Sequence, residues 1–351
     1  MKCFELNDHI DTSTKIENFI VMIPGKEILK LVTEEGREIE LTEDHPILTR
    51  EGMREARNVK IGEEIAVYPF EGVEYEEPQA KKLLDEADFE EDVARELKKR
   101  KLLPLFLNDK RIGILARLVG YCMGDAHLRE YVTKERGRLR KRRITIIYGE
   151  VEGLEEIRRD IIELGFKPSK IRKRRRKVGK SVGVENSITI SSKAFTSLLA
   201  ALGVPIGNKS KLRLRVPKWI KIAPLWIKRN FLAGLFGAEL SKPSVVKECK
   251  FTFEQPHLTI GKVKELEEDG IKFLREIRKL LEEFGIKSNL IYVAERKRKT
   301  TILRLTISSK EENLIKLWSK IGYEYQKERS LLANLAVQYP VSYTHLTLPT
   351  T

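Results

Sequence analysis

Leu118-Val119-Gly120-Tyr121-Cys122-Met123-Gly124-Asp125-Ala126 and Leu232-Ala233-Gly234-Leu235-Phe236-Gly237-Ala238-Glu239-Leu240 are two apolar stretches, each ending in a single carboxylate. Small residues recur four apart, at Ala116, Gly120 and Gly124 and again at Gly234 and Ala238. On a helix that spacing places them on one face. Two such faces can meet backbone to backbone, which would set Asp125 beside Glu239. Both acids would then stand at helix C-termini, where the dipole already disfavours negative charge. A divalent cation between them would relieve that, so the pattern points to metal-dependent chemistry.

Working outward, the chain repeats itself. Ser187-Ile188-Thr189-Ile190-Ser191-Ser192-Lys193 recurs as Leu305-Thr306-Ile307-Ser308-Ser309-Lys310, an offset of 117 between the lysines. The two acids are 114 apart, and the helix endings at Gly165 and Gly285 are 120 apart. Three landmarks in one order at nearly one offset indicate a duplicated unit of helix, two strands, helix, two strands, helix. A period this long excludes a solenoid and predicts a two-fold pseudo-symmetric α+β domain over residues 106–335, with halves 106–220 and 221–335.

The 351 residues carry 67 Lys and Arg against 52 Asp and Glu, a net charge of +15 that favours a polyanionic partner. The basic residues cluster in three runs. They are 136–143, with Arg138, Arg140, Lys141, Arg142 and Arg143; 170–180, with Arg172, Arg174, Arg175 and Arg176; and 296–299, with Arg296 and Arg298. Each run adjoins a predicted strand, and a positively charged sheet can lie along a duplex and contact phosphates. Three scattered cysteines exclude a disulfide framework and suit a reducing cytoplasm. No apolar run reaches membrane-spanning length, and no signal peptide is visible.

The first 70 residues read as short strands, at 15–23, 27–33, 37–42 and 64–70, between turns at Gly25, Gly36, Gly52 and Gly62. Residues 71–105 read as a charged, solvated linker with one helix over 79–100.

The paired apolar stretches resemble the signature helices of LAGLIDADG homing endonucleases, and the likeness spans residues 112–330, repeat included. The resemblance implies two αββαββα halves that meet along those helices. It implies a monomer with an internal pseudo-dimer that cuts both strands of a long DNA site. Asp125 and Glu239 would be the catalytic acids that bind Mg²⁺ or Mn²⁺. The metal would activate water and stabilise the leaving oxygen. The block Gly203-Val204-Pro205-Ile206-Gly207-Asn208-Lys209-Ser210 resembles the one that carries the family's catalytic lysine. The matching stretch Gly322-Tyr323-Glu324-Tyr325-Gln326-Lys327 makes Lys327 its partner.

A second resemblance lies in Gly36-Arg37-Glu38-Ile39-Glu40-Leu41-Thr42-Glu43-Asp44-His45-Pro46, which is similar to the splicing block of inteins. It implies a partial all-β Hint domain over residues 1–70, in which Thr42 and His45 activate the N-terminal splice junction. The wording of 66–74 and 223–231 is similar to inteins that interrupt archaeal RNA-splicing ligases.

The chain departs from these families in places. Neither a splicing nucleophile in its usual context nor a closing His-Asn is present, so it reads as a fragment that cannot splice alone. Residues 341–351 (VSYTHLTLPTT) hold no charge in a chain one-third charged, and are expected to be foreign to it, resembling a translated adaptor. The glycine that closes each family helix is Ala126 in one and Leu240 in the other, residues that resist a left-handed helix end. The second acid is Glu rather than Asp, which predicts a weakened second active site. The alternatives are a degenerate relative that binds nucleic acid without cutting, or a splicing element that takes its name from its host ligase.

Overall fold

The computed structural model describes the chain apart from residues 1, 6–9, 14–24, 26, 34–37, 67–69, 136–137, 179–180, 247–248, 296–299 and 347–351. The chain forms two compact units, Met1–Tyr68 and Pro69–Thr351.

The first unit is made of paired strands: β1 (Lys2–Glu5) with β2 (Ile10–Ser13), β3 (Ile28–Val32) with β4 (Glu38–Thr42), and β5 (Pro46–Thr49) with β6 (Gly52–Glu55). The predicted strands over 27–33 and 37–42 are β3 and β4. The predicted strand over 15–23 and the turn at Gly36 lie outside the described residues. Of the strand expected over 64–70, residues 67–69 lie outside the described residues, and among the rest Ile65 bridges Thr49 of β5. Among the described residues of this unit, Leu41, Thr49 and Ala56 are buried.

The second unit opens with a segment without regular secondary structure, then β7 (Lys82–Leu84), α1 (Glu91–Lys99) and β8 (Leu105–Phe106), which pairs with β7. The helix expected over 79–100 is therefore halved: residues 82–84 serve a two-stranded ladder, and the Asp85 carboxylate caps a 3-10 turn by accepting from Ala87 N. Nor is this segment merely solvated. Val93, Ala94 and Leu97 of α1 are buried, and Arg100 lies 4.5 Å over the Phe166 ring.

Then comes the duplicated unit. The first half runs α2 (Ile112–Asp125), β9 (Ala126–Glu135), β10 (Arg138–Tyr148), α3 (Val151–Glu163), β11 (Arg172–Val178), β12 (Ser181–Ile190) and α4 (Lys193–Ala201). After α5 (Lys218–Lys221), the second half runs α6 (Leu225–Glu239), β13 (Val245–Val246), β14 (Cys249–Phe253), β15 (His257–Val263), α7 (Glu267–Glu283), β16 (Ser288–Glu295), β17 (Thr300–Ile307) and α8 (Glu311–Lys316). A π turn over Leu317–Ile321 leads to α9 (Lys327–Leu346).

The two sheets have the orders β11-β12-β10-β9 and β15-β17-β16. Their registers coincide at the helix ends. Ala126 pairs Ile147 and Ile147 pairs Ile188; Leu240 pairs Leu258 and Leu258 pairs Leu305. The halves differ in the first hairpin. β9 and β10 pair over ten rows, whereas in the second half the chain breaks at Glu254-Gln255-Pro256 and leaves the short ladder of β13 and β14.

Amphipathic periodicity builds both halves. Leu154, Ile157 and Ile161 on α3, and Phe273, Ile277 and Leu281 on α7, bury one face each. Thr301, Leu303, Leu305 and Ile307 alternate inward along β17. Each fully buried Leu, Ile or Phe stabilises the fold by about 1.5–3 kcal/mol. Both α3 and α7 end alike, at Gly165 (φ +83) and Gly285 (φ +69), with Phe166 N donating to Ile161 O and Ile286 N to Leu281 O, each at 3.0 Å. That left-handed closure explains why both endings read alike in the sequence.

Candidate active site

The seam of α2 and α6 is a contact of main chains. A Cβ placed on Gly120 would stand 2.0 Å from Phe231 O, and one on Gly234 would stand 2.1 Å from Arg117 O. Around the glycines, Leu118, Val119, Phe231, Leu232 and Leu235 exclude water. Gly124 plays a different part. A Cβ there would meet Ala238 Cβ at 2.4 Å, Glu239 Cγ at 2.7 Å and Glu239 Oε1 at 3.2 Å. The missing methyl is thus the space through which the Glu239 side chain folds over the last turn of α2, toward Asp125.

Asp125 and Glu239 are the last residues of the two helices that touch, and each is half-buried there. Burial raises the Asp125 carboxyl above its ordinary range, with Lys209 and Arg329 pulling it down. Burial, and then the Asp125 charge, push Glu239 up to about 7. Two neighbouring half-buried carboxylates resist holding two negative charges.

Lys209 lies at the C-terminal end of α2, beside the helix's last carbonyls. Its Nζ donates to Cys122 O at 2.7 Å and Gly124 O at 2.5 Å, satisfying terminal carbonyls of α2. Burial pushes its ammonium down to about 8, opposed by Cys122 and the two acids. The turn that carries it is capped by the Asn208 side chain, which accepts from Ser210 N at 3.1 Å.

Lys327 is a correction. It is the exposed first residue of α9, and the cation that serves the second helix is Arg329. Arg329 Nη1 donates to Phe236 O at 3.1 Å, Gly237 O at 3.0 Å and Leu240 O at 2.7 Å. Both acids sense its charge. The repeat could not single it out: Lys209 lies six residues after Gly203, whereas Lys327 lies five and Arg329 seven after Gly322, each one residue off that spacing. One helical turn at the start of α9 faces Lys327 outward and Arg329 inward.

The helix closures are a second correction. Ala126 (φ −123, ψ 157) and Leu240 (φ −77, ψ 138) are extended, so each helix passes straight into a strand. No left-handed residue is required, and Ala and Leu carry no strain there.

Of the basic residues, Arg172, Arg174 and Arg175 are exposed on β11, one of the two edge strands of the first sheet. Lys141 and Arg142 are exposed on β10, Lys141 pairing with Glu130 at 3.1 Å. Arg143 departs from the expectation. Its Nε donates to Glu130 at 2.7 Å and its Nη1 to Ser197 Oγ at 2.8 Å, which ties it into the fold instead of presenting it to a ligand. Arg138, Arg140 and Arg176 lie on these strands with side chains outside the described residues, and Arg296 and Arg298 lie outside them altogether.

In the first unit, Thr42 is the half-buried last residue of β4 and His45 is exposed, joined across one turn by His45 N donating to Thr42 O at 3.0 Å.

Among the described residues no group of three or more His, Cys, Asp or Glu gathers as a metal site. The acid pair alone suits Mg²⁺, a hard cation commonly held by one or two carboxylates with phosphate oxygens and water completing its shell.

No family model matches the chain. Over 321 residues it is 42% identical to the tRNA-splicing ligase RtcB of Methanopyrus kandleri, covering 88% of this chain and 31% of that protein. Two proteins of Methanocaldococcus jannaschii also match 90% of the chain. DNA-directed RNA polymerase subunit Rpo1N is 32% identical and 24% covered; replication factor C small subunit is 30% identical and 21% covered. The chain thus spans about a third or less of the length of these relatives. Among solved structures, the homing endonuclease I-WcaI bound to its DNA recognition sequence is 18% identical, with 67% of this chain and 97% of that one covered at a TM-score of 0.39. The I-LtrWI LAGLIDADG homing endonuclease bound to target DNA is 12% identical, with 68% and 94% covered at a TM-score of 0.41.

Proposed function

We propose that this chain is the homing endonuclease of an intein, making a metal-dependent double-strand cut in DNA. The observation that carries the reading is the acid pair. Asp125 and Glu239 stand half-buried at the ends of two helices whose backbones touch, each helix end capped by a cation. A structural role gives no reason to concentrate two carboxylates there. Bound by these acids, Mg²⁺ would activate water for attack on a phosphodiester and stabilise the leaving oxygen. Lys209 and Arg329 oppose the upward shift of the acids and place positive charge where the phosphate would sit. The exposed arginines of β11 would lie along the DNA backbone.

The relatives support the intein part. Almost all of this chain matches stretches inside a ligase, a polymerase subunit and a replication factor subunit, and a minor part of each. A segment common to proteins of such different names behaves as an insertion that they carry. The first unit would be its remnant Hint domain, with Thr42 polarising a carbonyl and His45 moving the proton. An archaeal RtcB is the host this reading selects.

The test is incubation with DNA spanning an uninterrupted ligase gene, with and without Mg²⁺. Metal-dependent linearisation is expected, and Asp125→Asn should abolish it while sparing binding. A second reading, binding without a double-strand cut, draws on Arg329, whose guanidinium does not release a proton. Specific binding with no metal-dependent cleavage at any temperature would select that reading and sink the first.

A further inference from the structure

Lys262 is fully buried in the second half, at the end of β15 that faces the first half's outgoing segment. Its Nζ donates to the carbonyl of Lys209 at 2.7 Å and to that of Leu212. Burial pushes its ammonium down to about 8, with Asp269 opposing the shift. A buried ammonium satisfied largely by neutral carbonyls is a costly way to fill sheet interior, where Met or Leu would serve packing better.

The carbonyls it holds belong to the turn that delivers Lys209 to the acid pair. Further along the same segment, Asp269 accepts from Leu214 N at 3.0 Å and Glu276 accepts from Val216 N at 2.8 Å. Those two α7 acids fasten the segment downstream, whereas Lys262 fixes the turn itself. The first half has no equivalent. Register aligns Leu258 with Ile147, so the position matching Lys262 is Val151, the first residue of α3.

We propose that Lys262 is a positioning residue: by holding the backbone of Lys209 and Leu212 it aims the Lys209 ammonium at the end of α2, and so governs the cleavage that this end of the seam performs. The proposal rests on the endonuclease reading. It predicts unequal cutting, because Arg329, on helix α9, needs no help from Lys262.

The test follows both strands of an end-labelled DNA site in single turnover. Lys262→Met should slow cleavage of one strand at least tenfold more than the other, with DNA affinity unchanged, and Lys209→Met should show the same strand bias. In the Lys209→Met background, Lys262→Met should cost nothing further. Lys262→Gln keeps two N–H donors on a shorter arm, so it should recover part of the lost rate. It also stands in if Lys262→Met does not fold. Asp269→Asn is the control for plain fastening and should lower thermal stability without strand bias. Equal slowing of both strands, weakened binding that accounts for the loss, or full additivity with Lys209→Met would overturn the proposal. If the unaltered protein cuts neither strand, it is the endonuclease reading that fails.

Discussion

Gly120→Ala tests the seam. The added methyl would sit 2.0 Å from Phe231 O and 3.0 Å from Leu235 N, main-chain atoms that cannot rotate aside. Ordinary contact begins at 3.4 Å, so α2 and α6 must part by 1.4 Å at that point. Gaps of about 0.5–1 Å already forfeit a quarter to a half of each van der Waals contact, so the loss spreads along the seam. The expected destabilisation is about 3 kcal/mol, the upper end for overpacking. For a unit of this size that lowers Tm by about 5 °C. Calorimetry at matched pH measures the shift. Cleavage of DNA at a temperature where the variant is still folded measures the second effect. Parted helices hold the acids apart, so cutting should fall by more than the folded fraction does. A variant with Tm and rate within error of the parent would refute the backbone contact and the site built on it.

The remaining predictions concern charge. Glu239 holds its proton to about 7 in the folded chain, against an ordinary 4.5. Such a group stabilises the fold fully below 4.5, and this stabilisation, about 3 kcal/mol, is lost as pH rises through about 7. Mg²⁺ at the pair should therefore raise Tm more at pH 8 than at pH 5, and an equal rise at both would place the ion elsewhere. Arg329→Met leaves three carbonyls of α6 without their cation and should cost about 1.5–3 kcal/mol in a denaturant titration, whereas Lys327→Met should cost nothing measurable. Arg174→Ala should weaken DNA binding across sequences and reduce the log–log salt slope by about 1. Arg143→Ala should lower Tm and leave that slope alone; a changed slope would return Arg143 to the DNA-contacting set.

The glycine spacing of the two apolar stretches carried the seam and the acid pair, because backbone contact admits few residue types and leaves a visible mark. The repeat carried the two halves for the same reason: Gly165 and Gly285 close their helices in one geometry. What the sequence hid was mostly charge put to structural use. A lysine in a strand pattern reads as exposed, and Lys262 is wholly buried. Arg143 stands in a run that reads as a phosphate-binding face, yet it pairs with Glu130 and Ser197 across the sheet and onto α4. Arg329 escaped because the second half takes one residue more to reach the acids and uses a different cation. The helix over 79–100 was overextended because its charge pattern is helical throughout, and the pairing of β7 with β8 is a tertiary fact.

The segments that leave the two halves cross over. Residues after Lys209 are fastened to α7, while Glu324 N donates to Ala233 O and Tyr325 reaches Asp160 on α3, where Arg117 also pairs at 2.6 Å. A ribosome completes the first half long before the residues that seat Lys209 and those that cap α6 exist. A nascent chain with Asp125 already in place therefore lacks its opposing acid until Glu239 emerges and its second cation until Arg329 does. On the endonuclease reading, competence would come all at once and late, and a chain ending before Glu239 would lack the acid pair however well its first half folds.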